Sequence, residues 1–488
     1  MPRLIAPADL RKIGRFLSQS GYDIKTIRDE IGLTEVPWRK LRNRQYLLYL
    51  TGPETPAHLL AQLFYSYQPV EVHRLRTHVP ADVLDLMLEA DLLCVENGIG
   101  VAQCMLSPME GVIVLADQLI SMESQPRSDM VLPPNPTTQT LSRFMLRRAV
   151  RSALDLGTGS GILALLLAKH ADSVLGTDIN PRAILFAQIS AALNDIENVE
   201  FVTGDGLEPA KDRRFDQVVA NPPFFVSPTK DFVFCHTSME LDGFCRALAQ
   251  SVPDHLNDDG FFQMICEWVQ LEGQPWTARL AEWFNAPGCD VMIWKAFDYN
   301  IAKYAQERLF ESNPLDAEKD SEVFHSKIRF FRDKQVAGIS GGLVAMHHRV
   351  GQNWVRIQDL NQTPHVPFGD DVLRRFSGYT VVKSVADEEL VLFMPKLVPA
   401  ARLRQESEAV EGVWKPVYQR LEIIEGLLGS LAVDPLVSSV IARFDGTRTV
   451  SDIAAEVAKS TGAELGVVES EVLRLIRRLA EDGFIEFS

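Results

Sequence analysis

No stretch of the 488 residues is apolar for long enough to cross a bilayer, and Met1-Pro2-Arg3-Leu4-Ile5 lacks the apolar core of a secretory signal. The cytoplasm is therefore the expected location, with no membrane partner. Cysteine is scarce: Cys94, Cys104, Cys235, Cys245, Cys266 and Cys289 form no C-x-x-C pair and have no paired histidines at ligand spacing. This speaks against structural zinc and leads us to expect no metal, with the thiols reduced and mostly buried. His347-His348 falls on an expected strand, where adjacent side chains point to opposite faces and do not chelate one ion. Cys235-His236 are neighbours in sequence, which does not make them a nucleophile and its base. Positive charge is in deficit, with a formal net charge of −16 that opposes bulk attraction to nucleic acid. The basic exception is residues 1–50, with ten Lys or Arg against five Asp or Glu. That run reads either as a solvated helix face or as a phosphate-binding face. The length suggests about three domains, and 46% apolar residues suffice for several cores.

The informative residues lie between 150 and 225. An apolar run read as a strand leads into Asp155-Leu156-Gly157-Thr158-Gly159-Ser160-Gly161, and Ile162 to Ala168 reads as the following helix. Such a turn lets backbone pass close to a ligand. The G-x-G-x-G spacing differs from the G-x-G-x-x-G that seats a dinucleotide pyrophosphate, so a nicotinamide cofactor is the weaker reading. A second strand, Ser173 to Thr177, closes on Asp178, placed to accept both hydrogen bonds of a ribose diol or to cap the helix before Pro181. A third, Val199 to Thr203, ends at Gly204-Asp205-Gly206, where Asp205 either accepts from an adenine amino group or stands in a plain turn. Three strands thus bring Asp155, Asp178 and Asp205 to one sheet edge, an adenosine-shaped arrangement. The fourth strand, Phe215 to Ala220, runs into Asn221-Pro222-Pro223-Phe224.

On these four motifs, in this order, residues from about 129 to 350 resemble the class I S-adenosylmethionine-dependent methyltransferases. The stretch 221–224 resembles the amino-methylating branch, which includes the release-factor glutamine methyltransferases and the ribosomal RNA guanine N2 and adenine N6 enzymes. The resemblance implies an α/β, Rossmann-like core of seven strands and S-adenosylmethionine as cofactor. It implies that Gly157, Gly159 and Gly161 line the methionine and ribose part, that Asp178 holds the ribose hydroxyls, and that Asp205 holds the adenine. Asp155 would act near the methionine amino group, with Thr158, Ile179, Gly206 and Asn221 in the same cofactor-binding set. Asn221 and the Pro222 carbonyl would hold the accepting nitrogen, Pro223 would stiffen the loop, and Phe224 would stack on the acceptor's planar group. Phe225 is left without a role.

The chemistry accounts for these residue types. The lone pair of an amide or exocyclic amine is delocalised, so its nitrogen attacks poorly until two acceptors converge on its N–H bonds and turn the lone pair toward the methyl. No Ser, Cys or His nucleophile is needed.

Around this core, residues 1–125 read as short helices followed by strands at Leu92 to Val95 and Val101 to Met105 that flank the turn Asn97-Gly98, with Val112 to Leu115 as a third strand. This is a winged-helix-like pattern. Residues 126–350 are the expected methyltransferase domain. Its Pro-rich segment 129–141 is a linker or, at Thr137 to Thr140, part of a lid. A helix is expected over 242–256, and further strands over 260–266, 291–297 and 343–348. A charged helical insertion at 298–335 offers Tyr304, Arg308, Lys327, Arg329 and Arg332 to substrate or to solvent. Residues 351–400 read as an extension with strands, and 401–488 as a second winged-helix-like module. There Thr449 and Asp452 form a capping box, and Asp445-Gly446-Thr447-Arg448-Thr449 resembles small peptide-binding modules typified by the pyrroloquinoline quinone pathway chaperone.

The expectation is an N-methyltransferase acting on a macromolecule, a nucleic-acid base slightly ahead of a protein glutamine or asparagine amide. A peptide or small-metabolite methyltransferase and an S-adenosylmethionine-sensing winged-helix regulator are the alternatives, and the oligomeric state is left open.

Overall fold

The structure, a computed structural model, describes residues 1–29, 55–118, 127–228, 239–284, 288–309, 317–360 and 362–487. The chain divides into two compact units, residues 1–142 with 148–357, and residues 143–147 with 358–488.

The first unit opens with helices Pro7–Gln19, Ile24–Asp29 and Pro56–Leu60, the last running into a wider turn at Ala61–Tyr65. Strand β1 (Val70–Glu71), helices Val72–His78 and Ala81–Glu89, and strands β2 (Leu93–Glu96) and β3 (Ile99–Ala102) follow, with the strands ordered β1-β3-β2. Asn97 and Gly98 both adopt positive φ, the backbone that a two-residue hairpin between right-twisted strands requires. The expected third strand is present but pairs elsewhere: β5 (Val112–Ala116) joins β4 (Met105–Met109) in a separate two-stranded sheet. The physical reason is its edge. Ile113 and Leu115 donate their amides to Asn194 Oδ1 (2.8 Å) and Ser190 Oγ (2.9 Å), so a helix of the core satisfies that side of β5 in place of another strand.

The core sheet is built from β6 (Val150–Leu156), β7 (Ala171–Asp178), β8 (Val199–Thr203), β9 (Phe215–Ala220), β10 (Leu256–Leu271), β11 (Cys289–Asn300), β12 (Val336–His348) and β13 (Val355–Asp359). Their order is β13-β11-β12-β10-β9-β6-β7-β8, parallel from β8 to β10, with β12 antiparallel to both β10 and β11. This is one strand more than expected. Strands β10 to β12 also run past the expected segments, because Gly338, Gly341 and Gly342 hide β12 from strand propensity. A Cβ at Gly342 would lie 1.9 Å from the Trp294 carbonyl oxygen, so the close strand approach explains that glycine. The chain steps outward from β6 to β7 to β8 and then returns to the other side of β6. The reversal opens a crevice at the carboxyl ends of β6 and β9.

Helix Pro181–Leu193 joins the amino-terminal helices in a single apolar cluster that includes Leu10, Ile13, Leu17, Phe64, Phe186, Ile189 and Leu193. Gly14 marks their closest approach, since a Cβ there would sit 1.7 Å from the Leu193 carbonyl oxygen. Helix Gly243–Ser251 covers the expected 242–256 only in part, with a single 3-10 turn at Val252–His255 before β10 begins.

The second unit holds helices Gly369–Ser384 and Asp387–Leu390, the pair β14 (Pro395–Leu397) with β18 (Ile485–Phe487), and a sheet of β15 (Ala401–Val410), β16 (Val413–Ile423) and β17 (Gly429–Val433). Helices Pro435–Ile441, Val450–Thr461 and Leu465–Glu481 pack through Ile453, Val457, Leu473, Ile476 and Leu479. The capping box is formed, with the Asp452 amide on Thr449 Oγ1 and the Thr449 amide on Asp452 Oδ2, both at 3.1 Å. Among the described residues no helix is long and apolar enough to cross a membrane.

Candidate active site

Parallel pairing of Leu156 with Ala220 means that the glycine turn and Asn221 leave the sheet side by side. The turn is tied down from two directions. The amides of Gly157 and Thr158 both donate to the Thr177 carbonyl (2.9 and 2.8 Å), and the Gly159 amide donates to Asp178 Oδ2 (2.9 Å). Gly157 and Gly159 have φ of +75° and +53°, and a Cβ on either would meet nothing within 4 Å. Left-handed backbone facing open space is what close approach of a ligand requires. Gly161 differs: it precedes helix Ile162–Leu167, and a Cβ there would press on Ala187 at 3.0 Å, so its missing side chain serves helix packing.

Asp155 is fully buried. Its Oδ2 accepts from Thr158 Oγ1 (2.6 Å) and the Ala164 amide (3.0 Å), while Oδ1 has no partner among the described residues. Burial pushes the carboxyl up to about 7 against the pull of those two donors. Asp178 is also raised by burial, and its Oδ1 accepts from the Asn180 amide (2.9 Å). It does not cap the next helix, whose cap is Asn180, bonded to the Arg182 amide. Ile179 beside it is 54% exposed, a bare apolar surface at the crevice edge. Asp205 has an exposed side chain, and Gly206 after it has positive φ with open space where a Cβ would be.

Pro222 is buried, Pro223 and Phe224 are half-buried, and Phe224 packs on the apolar cluster beneath the sheet. Asn221 is oriented by a residue of the Pro-rich segment. Thr138 gives its hydroxyl proton to Asn135 Oδ1 (3.1 Å) and so can only accept from Asn221 Nδ2 (3.3 Å). That polarity fixes the Asn221 amide and leaves its oxygen as the available acceptor. Thr138 lies at the start of helix Pro136–Phe144, and its part in the site is not visible in the sequence because Asn221 stands 83 positions along the chain.

Of the insertion residues, Tyr304 and Lys327 are buried and Arg308 is largely so, which removes them from a solvent-facing substrate surface; Arg329 and Arg332 are exposed. The insertion itself consists of helices Ile301–Glu307 and Ala317–Asp333. Cys235-His236 lie outside the described residues, as do Arg39, Lys40, Arg42 and Arg44 of the basic amino terminus. His347 stacks on Phe261 and bonds Asp259, while His348 bonds the Asn257 carbonyl, so each has its own partner.

A mixed sheet with this reversal in its parallel part, a glycine turn after its first strand and carboxylates at the ends of the next two is the Rossmann-like fold of the methyltransferases whose cofactor is S-adenosylmethionine. Residues 134–267 match the family model described as the methyltransferase small domain. It is 35% identical over 152 residues to a release factor glutamine methyltransferase of Geobacter sulfurreducens, covering 28% of this chain and 52% of the relative. It is 34% identical over 158 residues to the release factor glutamine methyltransferase of Koribacter versatilis, covering 28% and 55%. A ribosomal protein L11 methyltransferase of Lactobacillus gasseri is 43% identical over 88 residues, covering 17% and 28%. The chain thus spans about half the length, or less, of the curated relatives it matches.

The raised Asp155 carboxyl predicts a pH dependence. The unfolded chain releases this proton near the ordinary carboxylate value of about 4, the folded chain near 7. Between the two, the folded state binds the extra proton, so this group's contribution to stability falls as pH rises from about 4 to about 7 and is level above. Thermal melts of ligand-free protein are expected to show that loss, and Asp155→Asn to flatten it; an identical pH slope in the variant would rule out a native carboxyl held near 7.

Proposed function

We propose that this protein is an S-adenosylmethionine-dependent N-methyltransferase acting on a planar amide or amino nitrogen of a macromolecule. The observation that carries the reading is Asn221, which leaves the sheet beside the glycine turn with its amide oxygen freed as an acceptor by the Asn135–Thr138 relay. S-adenosylmethionine supplies an electrophilic methyl on a sulfonium. The residues present fit it: open left-handed backbone at Gly157, Gly159 and Gly206, the orphaned buried Asp155 oxygen for its cationic amino end, Asp178 for the ribose, Ile179 and Asp205 for the adenine.

Asn221 Oδ1 and the Pro222 carbonyl accept the two N–H bonds of the acceptor, so its lone pair is turned outward before reaction. Neither Pro222 nor Pro223 has an N–H, which leaves this part of the loop only acceptors to offer, and their fixed φ stiffens it. Phe224 presents a ring for the acceptor's planar group. The leaving proton passes to solvent, since nothing here calls for a strong base.

For the acceptor itself, the ion pairs that engage four of the ten cations of residues 1–50 among the described residues support an amide beside a nucleic-acid base. Arg3 pairs with Asp91, Lys12 with Asp82, and Arg11 and Arg15 with Asp195, Arg11 also reaching Glu197. Cations so paired release few counterions to a phosphate backbone. The helices and the β1-β3-β2 sheet before residue 103 support a winged-helix-like module for substrate docking, and residues 401–488 a second one for protein contact. The free thiols of Cys94, Cys104, Cys245, Cys266 and Cys289 support a reducing, cytoplasmic setting.

The test is transfer of a labelled methyl group from S-adenosylmethionine into cell extract, followed by separate digestion with protease and nuclease. Label lost to protease is expected. Label lost to nuclease moves the acceptor to a base, and no incorporation leaves the sensing alternative.

A further inference from the structure

The segment following Phe224 is held at three successive residues by the insertion. The Phe225 ring lies under the Arg308 guanidinium, 3.9 Å from ring centroid to guanidinium carbon. The buried Val226 amide donates to the Tyr304 hydroxyl oxygen at 3.0 Å. Ser227 Oγ accepts from Lys327 Nζ at 3.1 Å. Behind them stands Glu267, 2% exposed, which accepts from the Tyr304 hydroxyl with Oε2 and from Arg308 with Oε1. Glu267 lies on the part of β10 that runs past Met264, the residue paired with Ala220 at the end of β9. The network therefore sits just beyond the point where the Asn-Pro-Pro-Phe loop leaves the sheet.

We propose that Glu267, Tyr304 and Arg308 are positioning residues that hold the Asn-Pro-Pro-Phe loop in register for methyl transfer, a role that rests on the function proposed above. A buried ion pair is a poor source of stability, because an apolar replacement of equal volume often serves as well or better. What it adds is direction. The hydroxyl of Tyr304 has one proton and gives it to Glu267, so its oxygen must face the Val226 amide as an acceptor. Arg308 cannot slide without leaving either Glu267 or the face of Phe225. Val226 lies four residues after Pro222, whose carbonyl is one of the two acceptors, and stiff Pro222-Pro223 transmits its placement back to Asn221. A displacement of about an ångström at such acceptors can change rates by up to about a hundredfold.

Tyr304→Phe keeps the ring, which packs edge-on against Phe331, and removes only the oxygen. Initial rates of labelled methyl incorporation into serially diluted extract give a plateau rate and a half-saturating dilution. The plateau is expected to fall roughly 10–100-fold, with the half-saturating dilution and the S-adenosylmethionine Kd each changing less than about threefold. Amide hydrogen exchange of a peptide covering 221–228 should speed up about tenfold while one covering 150–161 is unmoved. Arg308→Lys keeps the charge and loses the flat face; it should give an intermediate fall and serves if Tyr304→Phe does not fold. Unchanged exchange at 221–228, or an unchanged plateau rate in a folded variant, overturns the positioning role. A wild-type protein that transfers no methyl overturns the functional reading, and the positioning role falls with it.

Discussion

Asn221→Ala is expected to lower methyl transfer by roughly 10²–10³-fold, the cost of removing one preorganised donor or acceptor from a reacting centre. S-adenosylmethionine affinity should stay within about threefold, because the glycine turn, Asp155 and Asp178 hold one another without help from Asn221. Equilibrium binding and labelled-methyl transfer, measured on the same preparation, separate the two effects. Asn221→Asp is the sharper companion. It retains an acceptor but introduces an anion that Thr138 has no proton left to satisfy, since its proton goes to Asn135. If both variants bind the cofactor and still transfer at wild-type rates, Asn221 is a loop residue only.

Arg279→Ala is expected to cost about 3–5 kcal/mol of stability, the range found when one member of a buried ion pair is deleted. Arg279 grips both oxygens of Asp242 (2.6 and 2.7 Å), and the carboxylate, 3% exposed, also accepts the Val269 amide at 2.8 Å. Without the guanidinium, a charge is left in the apolar interior with one donor. Chemical denaturation followed by circular dichroism reads the loss, and adding Asp242→Asn in the same chain should recover part of it by removing the stranded charge. A cost below about 1 kcal/mol, the surface-pair range, would mean that water reaches Asp242.

The parts of the fold legible in the sequence are those that local physics determines. Asp155 to Gly161 stands out because left-handed turns favour glycine, and four of the five parallel strands, β6 to β9, stand out because each is a short apolar run ending in a turn. The Asn97-Gly98 hairpin and the Thr449–Asp452 capping box are likewise contained within a few residues. What escaped are pairings across long separations. Thr138 meets Asn221 from 83 positions away, Arg308 meets Glu267 from 41, and Arg11 meets Asp195 from 184. In each case the sequence shows a polar residue of ordinary type, and only the folded chain shows its partner. For the same reason the burial of Tyr304 and Lys327 and the packing of Gly161 against Ala187 are not visible in the sequence.

Strand β10 braces the chain on both sides of residues 228–241: Glu267 through Tyr304 on the near side, and the Val269 amide through Asp242 on the far side. Two anchors two residues apart on one strand make a fixed socket, into which intervening chain of different length or composition can be fitted while both ends stay where they are.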